Sequence, residues 1–202
     1  MAHPLPEQAQ LQRELRRLIR ARRRAVPAIE RHAAGLAIAR HVARARLLRS
    51  GLRVALFASL PEEVDTAPLI ALARARGCRI FLPRIVNRRR PRIVFLPADG
   101  ALAINRNGIR EPQGSRAYPA RFLDLVFTPL VAFDARGARL GMGAGFYDRA
   151  FAHRRLRRAW HAPVLVGVAF AVQQVQLLSE QPHDVRIDAI VTERGLLRFS
   201  GG

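Results

Sequence analysis

Three glycines at alternate positions, Gly141, Gly143 and Gly145, stand between Arg139 and the run Phe146-Tyr147-Asp148-Arg149. Glycine loses more conformational freedom on ordering than any other residue. Three so close together mark a backbone that turns through positive φ or admits a ligand to its N–H groups. The apolar spacing of Phe146, Ala150 and Phe151 predicts a helix directly after them. A glycine loop that opens a helix offers unpaired N–H donors and the positive end of the dipole, and both favour an anion. The flanking arginines point to a phosphate. The competing reading is a tight surface turn whose glycines serve only geometry; Arg139, Asp148 and Arg149 favour the ligand.

A second concentration of polar chemistry is Leu60-Pro-Glu-Glu-Val-Asp-Thr66, which follows an apolar run. Glu62, Glu63 and Asp65 are three of only 15 acidic residues, set against 35 basic ones that are all arginine. Acids at this junction complement a helix dipole, and Asp65 or Thr66 suits a cap. Glu63 remains a candidate ligand-binding carboxylate.

The formal charge of +20 generates a long-range field that draws polyanions, with clusters at Arg20–Arg24 and Arg154–Arg158. The arginines are nevertheless spread along the chain, and neither an aromatic-rich RNA-binding pattern nor a helix-turn-helix spacing accompanies them. No specific nucleic-acid partner is therefore expected, and the same field serves small anionic substrates. The longest apolar run, Pro163–Val172, has ten residues and is too short to span a bilayer. The single cysteine, Cys78, excludes a disulfide framework and a cysteine-based zinc cluster, and reads as a small core residue. No secretory pattern opens the chain, so a cytoplasmic location is expected.

These groups must be positioned by a regular framework. Leu11, Leu15, Leu18 and Ile19 form an apolar stripe on a helix from Pro6 to about Ala25. Pro27 starts a second helix reaching about Leu48. Strands are expected at Arg53–Ala58, Arg79–Pro83, Phe122–Thr128, Val164–Phe170 and Ile187–Val191. Helices are expected at 66–76, after the glycine loop, and near Val172–Leu178. Arg92–Leu96 and Ala101–Ile104, joined by the turn Pro97–Gly100, read as a hairpin or strand pair. Strands alternating with helices imply an α/β three-layer sandwich with a mainly parallel sheet. One domain is expected over residues 1–202, its first 50 residues a helical segment packed on the α/β core. The glycine loop, the Glu63 turn and His183-Asp184 all fall at strand ends, where open α/β sheets collect ligands.

Taken in order, several segments resemble the 5-formyltetrahydrofolate cyclo-ligase family, also called methenyltetrahydrofolate synthetases. They are Leu15-Arg16, Pro61–Thr66, Leu82-Pro83, Gly108–Pro112, Leu123–Val126, Pro129–Asp134, Arg139–Arg149, Val166–Phe170, His183–Val185 and Val191–Glu193. Each is short, but the ordered set is specific and spans most of the chain. The resemblance implies the fold type of sugar-phosphate isomerases and CoA transferases. It also implies ATP- and Mg²⁺-dependent closure of 5-formyltetrahydrofolate to 5,10-methenyltetrahydrofolate through a phosphorylated formyl group, with release of ADP and phosphate.

Position by position, the resemblance implies ATP contacts at Gln12, Arg13, Glu14, Leu15 and Arg16, and along Arg139, Leu140, Gly141, Met142, Gly143, Ala144, Gly145, Phe146 and Tyr147. Folate contacts are implied at Ala58, Glu63 and Met142–Phe146, catalytic roles for Arg139 and Tyr147, and magnesium at Asp148 and Asp184. Asp148 also reads as a first-turn acid facing a helix dipole, Asp184 as a turn residue, and His183 as a proton carrier or a structural histidine. The family commonly has a lysine where Gln12 stands, and often tyrosines where Met142 and Phe146 stand. The substrate is expected with or without a polyglutamate tail, and the protein as a monomer. Two alternatives stay open: a sugar-phosphate isomerase-like enzyme of the same fold, and a non-enzymatic basic nucleic-acid binder.

Overall fold

The computed structural model describes residues 6–87, 92–100, 102–104, 110–114, 116–156 and 163–199. The Arg154–Arg158 cluster is described only as far as Leu156, and the Gly108-Ile109 part of its motif lies outside the described residues.

Two helices, α1 (Pro6–Ala25) and α2 (Ala28–Arg44), precede strand β1 (Arg53–Ala55), helix α3 (Ala67–Ala75), and strands β2 (Arg79–Asn87) and β3 (Arg92–Pro97). Short strands β4 (Leu102–Ile104) and β5 (Arg110–Pro112) form a separate antiparallel pair. Then come β6 (Leu125–Pro129), the pair β7 (Ala132–Phe133) and β8 (Arg139–Leu140), and helices α4 (Phe146–Ala150) and α5 (His153–Leu156). The chain ends with β9 (Val164–Val168), β10 (Ala189–Thr192) and β11 (Gly195–Arg198).

Seven strands make the main sheet in the order β11-β10-β9-β6-β1-β2-β3. The strands from β10 to β2 are parallel, and both edge strands, β3 and β11, are antiparallel to their neighbours. A strand's side chains alternate between faces, so a sheet covered on both sides requires unbroken apolar strands. Val54, Leu125, Phe127, Val166 and Val191 pack with Ile38, Val42, Leu69 and Ala73 of α2 and α3 on one face. Ala55, Val126, Leu165 and Ile190 face Phe151 and, at its margin, Phe146 and Tyr147 on the other. This is the expected layered α/β architecture.

Several expectations are corrected. β3 does not pair with β4; it runs antiparallel along β2, with Leu82 opposite Leu96 and Arg84 opposite Val94. The reason is that β2 continues through Pro83 to Asn87 and gives β3 a full-length partner. Beyond Phe81 β1 no longer accompanies β2, so one side of β2 is open and a proline is tolerated there. α2 stops at Arg44 instead of Leu48, because Arg46 turns to φ +51 and sends Leu48 into the core. The helix expected near Val172–Leu178 is one 3₁₀ turn at Ala171–Gln173, after which the Val175 N–H donates to the carbonyl of Phe133. Of the two cap candidates, Thr66 occupies the N-cap position of α3 but its hydroxyl donates to the carbonyl of Phe57, and the Asp65 Oδ1 accepts the Ala67 N–H at 2.9 Å. Cys78 is only partly buried, its thiol donating to the carbonyl of Arg49.

The α1 stripe also differs. Leu11 and Leu18 are exposed, and the inward line is half-buried Leu15 with buried Ile19 and Arg23, at four-residue spacing. Ile19 packs with Val131, Ala132, Ala138, Leu140 and Leu178, so α1 rests on the β7–β8 pair directly before the glycine loop. Among the described residues no helix is long and apolar enough to cross a membrane.

Candidate active site

Beyond the carboxyl ends of β1 and β6, and against the second half of β2, lies a cavity of about 310 Å³. Its lining includes Ala58, Glu63, Pro83, Glu111, Pro129, Arg139, Met142 and Gly145–Asp148. Residues more than 80 positions apart in the chain thus meet around one space, because the strand order places β6 beside β1 and β1 beside β2.

The glycine loop forms one wall. Gly143 and Gly145 sit at φ +101 and +64, conformations that a β-carbon would strain. Gly141 does not share this conformation; its carbonyl instead accepts Arg16 Nε from α1 at 2.9 Å. The helix after the loop is present but short, five residues long, with Gly145 as its N-cap. Arg149 folds back to donate to the carbonyl of Ala144. Arg139, its side chain 3% exposed, donates to Asp148 Oδ1 at 2.6 Å, and the same oxygen accepts the Val185 N–H at 3.1 Å. Burial raises the Asp184 carboxyl above its ordinary value, and the nearby charge of Asp148 adds to the rise. Burial also pulls the Arg16 guanidinium down, while Asp184 pushes it back up. Arg16, Arg139, Asp148 and Asp184 therefore form one charged neighbourhood. Gln12 supports it, accepting Arg16 Nη2 at 3.2 Å and donating to the carbonyl of Ser179 at 3.4 Å.

The opposite wall is acidic. Glu63 Oε2 accepts the Leu60 N–H at 3.0 Å, and Oε1 faces Arg23 Nη1 at 3.4 Å. Burial lifts the Glu63 carboxyl above its usual range, partly offset by the Leu60 N–H and the charge of Arg23. Tyr147 stands between the walls; burial, and then the charge of Glu63, push its phenol well above its ordinary value. Its hydroxyl is thus a hydrogen-bond donor at any neutral pH.

Not every candidate faces this space. Arg13 and Glu14 are exposed on α1, and the Glu14 carboxylate accepts Gln10. The Leu15 and Leu140 side chains belong to the packing between α1 and the β7–β8 pair. Gly143 is exposed at the loop tip, Met142 sits at the cavity mouth, and His183 is exposed, 3.9 Å from Asp184. Among the described residues no group of three or more His, Cys, Asp or Glu could hold a metal alone. Two carboxylates suit a hard divalent cation that keeps phosphate oxygens and water as its other ligands, not a protein-only cage.

Pro83, Glu111 and Pro129 stand in the sequence motifs with no site role of their own, yet line the cavity. In the sequence Arg23 reads only as one arginine of a cluster. The available signal was its place at i+4 from Ile19, on the buried line of α1.

Fold and cavity together define an α/β enzyme whose polar site lies beyond the carboxyl ends of a parallel sheet. The family model described as "5-formyltetrahydrofolate cyclo-ligase family" matches residues 8–193, and the chain belongs to that family, which is a family of ligases. A 5-formyltetrahydrofolate cyclo-ligase of Escherichia coli (strain K12) is 34% identical over 179 residues, covering 87% of this chain and 96% of that protein. One from Haemophilus influenzae is 32% identical over 180 residues, covering 87% and 94%. The solved structure of Aquifex aeolicus 5,10-methenyltetrahydrofolate synthetase superposes with a TM-score of 0.77 at 27% identity, covering 95% of this chain and 94% of the other.

Proposed function

We propose that this protein, acting as a cytoplasmic monomer, closes 5-formyltetrahydrofolate to 5,10-methenyltetrahydrofolate with ATP and Mg²⁺, releasing ADP and phosphate. The observation that carries this reading is the single cavity uniting Glu63, Arg139, the glycine loop and Asp148. Family membership favours it over a sugar-phosphate isomerase.

In this reading the formyl oxygen attacks the γ-phosphorus and ADP departs. N10 then attacks the activated formyl carbon, its proton is lost, and phosphate leaves. The protein must align two anions and offset the charge that develops on the transferred group. The loop N–H groups and Arg139 neutralise phosphate oxygens, and Arg16 holds the loop through Gly141. The protonated Tyr147 hydroxyl donates to oxygen near the reacting centre. Asp148 and Asp184 would hold Mg²⁺, which supplies charge neutralisation for the phosphates. Glu63 accepts hydrogen bonds from the amino group and ring N–H of the pterin. Met142 and Phe146 provide an apolar platform for a flat ring.

An open groove of about 760 Å³ adjoins the cavity across Ile93 and Phe146, and Arg92 and Arg149 line it. It gives the acidic tail of the substrate, polyglutamylated or not, a basic exit. The arginine excess on this reading serves anionic substrates and no specific nucleic acid.

The test is to mix the protein with 5-formyltetrahydrofolate, ATP and Mg²⁺ and follow the methenyl chromophore. Turnover that requires all three is expected; no product from folded protein would overturn the proposal.

A further inference from the structure

Arg23 is 1% exposed and ranks among the largest fully buried side chains of the described residues. A buried guanidinium is tolerated only when it is paired, and both of its partners come from the acidic turn. Nη2 meets Glu62 Oε1 at 3.2 Å and Nη1 meets Glu63 Oε1 at 3.4 Å. With the Leu60 N–H on Oε2, both oxygens of Glu63 are held, one from its own turn and one from α1. Two turns earlier on the same helix, Arg16 grips the carbonyl of Gly141 in the glycine loop. One face of α1 therefore reaches both walls of the cavity. The fold does not require a cation at Arg23: an apolar side chain would continue the line Leu15–Ile19 and remove the charge to be buried.

We propose that Arg23 is the positioning residue for Glu63: from the N-terminal helix it fixes the carboxylate and sets a cation against it in a desolvated wall, ready to accept paired N–H donors from the substrate ring. This rests on the reading that Glu63 faces the folate ring. Burial raises the Glu63 carboxyl, and the Leu60 N–H and then the charge of Arg23 oppose the rise. The charged and titratable groups acting on Glu63 are Arg20 and Arg23 from α1, Glu62 from its own turn and Tyr147 from α4. Arg139, Asp148 and Glu111 line the same cavity.

The test measures KM for 5-formyltetrahydrofolate and for ATP separately, from pH 6 to 9, in full-length Arg23→Met, Arg23→Lys and Glu63→Gln, with melting curves to confirm folding. Arg23→Met is expected to raise the folate KM about tenfold at neutral pH and to leave the ATP KM nearly unchanged. The defect should shrink as pH rises, because Glu63 then ionises without help. Arg23→Lys should recover part of the loss, as it restores charge without the two-pronged geometry. A purely structural role would move the melting temperature and both KM values, with no such pH dependence.

A folded Arg23→Met with an unaltered folate KM, or with equal changes in both KM values, overturns the proposal. If Arg23→Met does not fold, Arg23→Lys decides: a higher folate KM alone supports the proposal, and no change overturns it. If Glu63→Gln leaves the folate KM unchanged, the reading of Glu63 fails and the proposal with it. If Glu63→Gln raises it and Arg23→Met does not, only the role of Arg23 fails.

Discussion

At the loop wall of the cavity Arg139 and Asp148 meet at 2.6 Å, and the Val185 N–H completes the pair. At the opposite wall two carboxylates, Glu62 and Glu63, share the buried Arg23 at 3.2 and 3.4 Å, while Arg20 reaches Glu62 at 3.8 Å. Each wall sets two arginines against two carboxylates, but the first adds the glycine-loop backbone while the second buries Glu63. A desolvated carboxylate with lone pairs to spare favours a ligand that brings N–H groups. A loop with donors and arginine favours one that brings oxygens. On the proposed function, the difference gives the cavity a polarity: the ring donors of the substrate at Glu63, phosphate at the glycine loop.

The largest expected effect is at the loop wall. Arg139→Met removes a positioned donor and leaves Asp148 without its cation, so kcat should fall by about 10²–10³-fold. Steady-state turnover checks this, and undiminished kcat would remove Arg139 from the chemistry. Gly143→Ala forces a β-carbon at φ +101 and should raise the ATP KM about tenfold, with the folate KM little changed. Equal effects on both KM values would erase the polarity.

The smallest effect should arise at the other end of the sheet. There Arg53 holds Asp124 through its backbone N–H and guanidinium, at 2.8 and 2.5 Å. This pairing keeps the Asp124 carboxyl below its ordinary value. Its stabilisation is therefore complete above the unfolded value and is lost as pH falls through the folded one. Both side chains are about one-third exposed, so Asp124→Asn should cost about 1 kcal/mol, or roughly 2–4 °C in Tm, at pH 7. The gap to the parent protein should close as acid protonates Asp124, with neutral-pH activity unaffected.

Much of this was legible in the residue order. The central strands are apolar runs because both of their faces are covered, and that pattern needs no partner to be read. The glycine loop and the acidic turn announce themselves through residue types that are costly elsewhere. Strand pairing was less legible. Nothing within Arg92–Pro97 says whether it turns onto β4 or lies along β2; the length of β2 beyond Phe81 decides. The β7–β8 pair and β11 are short, and their turns at Asp134–Gly137 and Glu193–Gly195 were the only signals. Arg23 was hidden because an arginine in a basic cluster reads as solvated until a buried face and two acids claim it.

The most direct test of the two-walled cavity is calorimetric titration of the parent protein and Glu63→Gln, each with 5-formyltetrahydrofolate and, separately, with a non-hydrolysable ATP analogue and Mg²⁺. Loss of one charged acceptor should weaken folate binding about tenfold and leave the analogue's Kd unchanged. Unchanged folate binding, or a loss confined to the nucleotide analogue, would contradict the account.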